Sequence, residues 1–222
     1  MCRNVVALIL SILGCRAAIG GEIVDPDIPG ILELREQAQL RDGWLTERLG
    51  TVVPELLRRE GIDMWLLIAR EYNEDPVVET MLPATWLSAR RRTVLMFYDP
   101  GADKAIESLT VSRYSPGAQF AAVWIPEDQP DQWARIAELI AERNPRKIAV
   151  NRSEVFPLAD GLSASEESSL VAAIGDKYAK RLVSAESLAI GWLETRIADE
   201  MLVYPTVVRI AHGIIAEGLS EE

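Results

Sequence analysis

Six consecutive residues place a guanidinium, a phenol, an amide and three carboxylates side by side: Arg70-Glu71-Tyr72-Asn73-Glu74-Asp75, closed by Pro76. Arginine is a planar fork of donors suited to a carboxylate such as a peptide terminus. Arg70, with Tyr72 and Asn73 beside it, is therefore a candidate substrate contact. The competing role for Arg70 is an ion pair inside the domain, with Glu71, Glu74 or Asp75. Two of those acids could also serve as a general acid and base, although charged clusters in loops are commonly just solvated. A second polar group, Arg90-Arg91-Arg92, stands directly before an apolar run. Its plain reading is structural pairing with carboxylates.

Other chemistries find little support. His212 is the single histidine, with no second ligand at metal-binding spacing. A Cys/His pair is excluded because both cysteines, Cys2 and Cys15, lie in the first fifteen residues. There is no Gly-x-Ser-x-Gly elbow and no glycine-rich phosphate loop. No catalytic residue, metal ligand or cofactor site is assigned within this chain. The net charge of −11 argues against nucleic acid as a partner, since a basic face is needed to displace counterions.

The polar stretch leaves the end of an apolar run, Met64-Trp65-Leu66-Leu67-Ile68, and the arginine triplet enters another, Thr93-Val94-Leu95-Met96-Phe97-Tyr98. Short continuous apolar runs bounded by turn residues read as buried strands. Leu45, Leu49, Val52, Val53, Leu56 and Leu57 form a helical stripe before the first strand. Pro54 is a site for a kink, and Gly61 for the helix end. Further strands are expected at 106–111, 121–125, 147–150 and 182–183. Helices are expected over 133–140, ended by Asn144-Pro145, and after Ser163, whose spacing to Glu166 is that of a capping box. Gly175 is expected to close that helix. From Glu194 the chain reads as helical again, interrupted by Pro205, with Val208, Ala211, Ile214 and Ile215 on one face and Gly218 as a cap. Helix, glycine, buried strand is an α/β signature. With 49% hydrophobic residues, a packed core is expected.

The beginning of the chain differs. Arg3 precedes Val5-Val6-Ala7-Leu8-Ile9-Leu10 and Ile12-Leu13-Gly14, and the small residues Ala17, Ala18, Gly20 and Gly21 follow. A charged start, a short apolar run and a small-residue zone describe a secretory signal over residues 1–20. The alternative is an N-terminal core helix. Ile12-Leu13-Gly14-Cys15 has the form of a lipoprotein cleavage box, which makes Cys15 a candidate for lipidation. The expected location is periplasmic or extracellular, with membrane contact only through such an anchor. Residues 21–30 form a turn-rich linker.

Three stretches carry a family resemblance: Arg70 to Pro76, Trp86-Leu87-Ser88-Ala89-Arg90-Arg91-Arg92, and Leu158-Ala159-Asp160-Gly161-Leu162. With them, residues 33–222 resemble the N-terminal part of creatinase/prolidase/Xaa-Pro aminopeptidase metallopeptidases, the pita-bread family. The resemblance implies a mixed-sheet α/β domain, ribonuclease-H-like in arrangement and flanked by helices, over residues 31–190. Leu193-Glu194-Thr195-Arg196 resembles the junction to the catalytic domain, so 191–222 would be its first helix. The family's N-terminal domain helps to form a homodimer and covers the active site. Its catalytic domain binds two divalent metal ions (manganese, cobalt or zinc) through two Asp, one His and two Glu. Such ligands would lie beyond Glu222, so this chain alone is expected to be inactive. The complete enzyme would act on Xaa-Pro or related peptides. The alternative is a free-standing, non-catalytic binding or dimerisation module.

Overall fold

The computed structural model describes residues 30–101 and 104–220. The expected leader and Cys15 lie outside the described residues, as does nearly all of the linker. The chain divides into two units: one is residues 32–204, and the described residues from Pro205 onward belong to the other, the unit of the chain ends.

The 32–204 unit is a mixed α/β structure around a six-stranded sheet. Helix α1 (Leu34–Glu60) is ended by Gly61 in the left-handed conformation, and its expected apolar stripe is buried. It runs unbroken through Pro54. Strand β1 (Met64–Arg70) follows, then the short helix α2 (Pro76–Met81), β2 (Arg92–Tyr98), β3 (Glu107–Thr110) and β4 (Ala121–Ala122). Helix α3 (Gln132–Arg143) starts at Asp131 and stops at Asn144, which has a positive φ. Strand β5 (Ile148–Val150), helix α4 (Ala164–Ala179), strand β6 (Leu182–Ser184) and helix α5 (Glu186–Glu194) complete the packed layers. The sheet order is β4-β3-β2-β1-β5-β6. Strands β1, β2 and β3 form an antiparallel meander, whereas β5 and β6 run parallel to β1.

Central strand β1 is buried on both faces, which is why its sequence is apolar without alternation. Trp65, Leu67 and Ala69 pack with α1, α2 and α5, while Met64, Leu66 and Ile68 pack with α3 and α4. Two separate cores thus flank one sheet.

Several elements depart from expectation. The strand at 121–125 shrinks to two exposed alanines. Gly175 (φ 67°, ψ 172°) ends the regular part of α4, but another turn continues to Ala179. Helix α5 has no counterpart in the expected elements, although Leu188, Ala189 and Trp192 have helical spacing and are buried. The final helix, α6 (Ala198–Gly218), runs through Pro205 rather than breaking there. None of its residues is buried, so the carbonyl deprived of its partner by proline is open to water. In the unit of chain ends, the described residues from Pro205 are helical as far as Gly218.

Candidate functional site

Arg70 closes β1, and its partner across the antiparallel ladder is Arg92. Both continue the row of side chains that faces α3 and α4. Like charges directly opposed on a sheet repel. The fold answers this with Glu166 from α4, whose carboxylate is 4% exposed. Arg92 holds it with two donors, Nε to Oε2 at 2.5 Å and Nη2 to Oε1 at 3.2 Å. Arg70 approaches Oε1 at 3.5 Å with a half-exposed side chain. Arg92 is fixed further by Gln132, whose Oε1 accepts from Nη1 at 3.1 Å, and by the Trp133 ring, whose centroid lies 4.6 Å from the guanidinium carbon. Arg92 is therefore immobilised, while Arg70 keeps donors free.

Beyond Arg70 the chain makes a tight turn. The N–H of Asn73 donates to the Arg70 carbonyl at 2.9 Å, and the Arg70 N–H returns to the Asn73 carbonyl at 3.2 Å. Tyr72 occupies the corner with φ 67°, and its side chain is 93% exposed. A non-glycine residue pays backbone strain in that region. Nothing in the core compensates Tyr72, so the neighbouring carboxylates matter. Glu74 accepts from the Tyr72 N–H at 3.0 Å. Glu71 accepts from the Arg91 N–H at 3.1 Å, and its own N–H donates to the Arg91 carbonyl at 2.7 Å. Arg91 is itself at φ 56°. The result is an open depression of about 540 Å³ lined by Arg70, Glu71, Tyr72, Arg91, Arg92 and Gln132.

Asp75 plays a different part. It is fully buried and caps α2, its Oδ1 accepting from the N–H groups of Val77 (2.8 Å) and Val78 (3.2 Å). Its Oδ2 accepts from Asn151 Nδ2 at 2.8 Å, and Asn151 Oδ1 accepts from Trp65 Nε1 at 2.8 Å. Gly161 lies against the same carboxylate; a Cβ there would fall 2.3 Å from Asp75 Cγ. Burial pushes the Asp75 carboxyl above the usual carboxylate range, against the opposing pull of the Asn151, Val78 and Val77 donors.

These contacts correct two expectations. Arg70 pairs with Glu166, not with Glu71, Glu74 or Asp75. Those three acids do not form a solvated cluster or an acid–base pair: Glu74 holds the Tyr72 N–H of the turn, Glu71 holds the Arg91 N–H of the segment entering β2, and Asp75 is sealed in the core. Of the arginine triplet, Arg92 takes the structural carboxylate pairing expected, and Arg90 lies over the Tyr114 ring at 5.5 Å. Arg70 and Tyr72 meet in the depression, whereas Asn73 is exposed and contributes backbone closure. Glu166, Gln132 and Asn151 were not among the expected site residues. The Ser163–Glu166 spacing was the only hint, and only half of that capping box forms: the Glu166 N–H donates to Ser163 Oγ at 3.4 Å. The carboxylate goes to the arginines instead.

Among the described residues no group of three or more His, Cys, Asp or Glu side chains could hold a metal ion. Nor is any described helix long and apolar enough to cross a membrane. No family model matches the chain, and no curated protein matches it.

Proposed function

We propose that this chain is the N-terminal, substrate-covering and dimer-forming part of an exported pita-bread metallopeptidase acting on Xaa-Pro or related peptides. One observation carries the reading. Two of the stretches on which the resemblance rests flank the β1–β2 connection, and the third, about 65 residues further along the chain, meets the first beyond the end of β1. Glu71 joins the first to Arg91 in the second through two hydrogen bonds. Gly161 of the third lies against Asp75 of the first. The mixed sheet is the kind of scaffold a creatinase-type, ribonuclease-H-like N-terminal domain requires, and the carboxyl ends of parallel strands are habitual ligand sites.

In this reading Arg70 supplies a fork of donors to a substrate carboxylate and Tyr72 an apolar wall with a hydroxyl tip. The two divalent metal ions and their ligands belong to the catalytic domain, and no catalytic step is assigned to residues of this chain. The test starts with the gene. The reading frame after Glu222 should continue and encode two Asp, one His and two Glu in metal-binding segments; a stop codon there would favour a free-standing binding module. In the complete enzyme, Arg70→Ala should raise KM for Xaa-Pro dipeptides about tenfold, as loss of a charge-assisted hydrogen bond does. An unchanged KM would remove Arg70 from the substrate.

A further inference from the structure

A second arginine-rich recess lies between α1, α5 and the first turn of α6, wholly within the 32–204 unit. Its volume is about 270 Å³, and Arg41, Trp44, Arg48, Trp192, Arg196 and Glu200 are among its lining residues. Arg48 forms the floor. It is 7% exposed, and its guanidinium carbon stands 4.3 Å from the Trp192 ring centroid. It donates to the carbonyls of Trp192 and Thr195, each at 2.5 Å, and to Glu200 Oε2 at 2.9 Å.

The carboxyl end of a helix by itself repels anions. Here that repulsion is cancelled: Arg48 covers the carbonyls of Trp192 and Thr195, and Arg196 donates to those of Leu193 (2.8 Å) and Thr195 (3.1 Å). Three arginines and a single carboxylate line the recess, and that carboxylate, Glu200, is already committed to Arg48 and to the Ile197 N–H at 2.9 Å. Among the described residues no acceptor meets the side chain of Arg41. In an acidic chain of net charge −11 this is a local surplus of positive charge. Indole walls lower the local dielectric and strengthen any ion pair formed there. The volume, about 270 Å³, is just below the usual range of drug-sized ligand pockets, which leaves room for a molecule of amino-acid size.

We propose that this recess binds a small carboxylate with a flat apolar body. The carboxylate lies on the forks of Arg41 and Arg196, and the flat body lies along Trp44. The inference is independent of the peptidase reading and of the depression at Arg70.

The test is calorimetric titration of the 222-residue chain with benzoate, acetate and inorganic phosphate at constant ionic strength. Benzoate should bind saturably at one site. Acetate, lacking the ring, and phosphate, lacking the flat apolar face, should each bind at least about tenfold more weakly. Arg41→Gln and Arg196→Gln, both at exposed positions, should each weaken benzoate about tenfold, as loss of a charge-assisted contact does. Arg70→Gln should leave it unchanged. Absence of saturable binding, equal binding of phosphate, or loss in Arg70→Gln with retention in Arg41→Gln and Arg196→Gln would each overturn the assignment.

Discussion

The Glu166 carboxylate sits between Arg92 and Arg70, held by two donors from the first and approached at 3.5 Å by the second. The two contacts differ in kind. One is a forked pair between the buried acid and a fixed, partly buried cation, and the other is a loose contact to a half-exposed one.

Removing the buried acid should therefore be costly. Glu166→Ala leaves Arg92 and Arg70 facing each other across the sheet without a counter-charge, and should lower unfolding free energy by about 3 kcal/mol. Arg70→Ala should cost less than about 1 kcal/mol, as exposed pairs do. Urea unfolding of both variants checks the ranking; equal losses would contradict the asymmetry.

Asp75 has two acceptor oxygens surrounded by donors. Asp75→Asn would turn an amide N–H toward Asn151 Nδ2, and flipping Asn151 would deprive Trp65 Nε1 of its acceptor. A loss of about 2 kcal/mol is expected. Gly161→Ala should cost about 2–3 kcal/mol through overpacking against the same carboxylate. Thermal unfolding of the two variants and their double mutant should show non-additive losses, because they share one contact.

Two acids oppose each other in their pH dependence. Burial works against ionisation of Asp63, yet the Arg146 side chain and the N–H groups of Arg146 and Lys147 hold its carboxyl below the usual range. Its contribution is present above the unfolded value of about 3.9 and is lost as pH falls through the folded pKa. Asp75 is raised, so its contribution is present below that value and is lost as pH rises through its folded pKa. Asp63→Asn should flatten the acid limb of a stability–pH curve. Asp75→Asn should remove a decline on the less acidic side. Stability curves from pH 2.5 to 7 distinguish the two.

Tyr72 separates display from stability. Its side chain touches little and its backbone is strained, so Tyr72→Gly should change unfolding free energy by no more than about 1 kcal/mol, strain relief offsetting added chain entropy. If the proposed function holds, the same change in the complete enzyme should impair peptide hydrolysis. A large loss of stability would show that the turn depends on the tyrosine.

The legibility of this protein in its sequence follows the range of the forces involved. The buried strands at 64–70 and 92–98 and the stripe of α1 were legible because burial leaves continuous or periodic apolar patterns. Gly61 and Asn144 were legible because a left-handed helix end favours those residue types. Helix α5 was missed because Ala185 offers no side-chain cap and only three residues are buried. Pro205 was over-read, since an exposed helix tolerates a lost backbone bond. The depression was half legible. Arg70 and Tyr72 stand two residues apart in sequence, but Glu166 reaches Arg70 and Arg92 only through packing of α4 on the sheet, and local spacing hid this behind a capping motif.

The central strand ties recognition to packing in one further way. Met64, Leu66, Ile68 and Arg70 are its even positions, and Trp65, Leu67 and Ala69 its odd ones, each set facing its own helical layer. A one-residue slip would exchange the sets, burying an indole where a thioether belongs and swinging Arg70 away from Glu166 to the opposite side. Parity along seven residues thus fixes where the arginine points, and no drift in loop length elsewhere can redirect it without first breaking both cores.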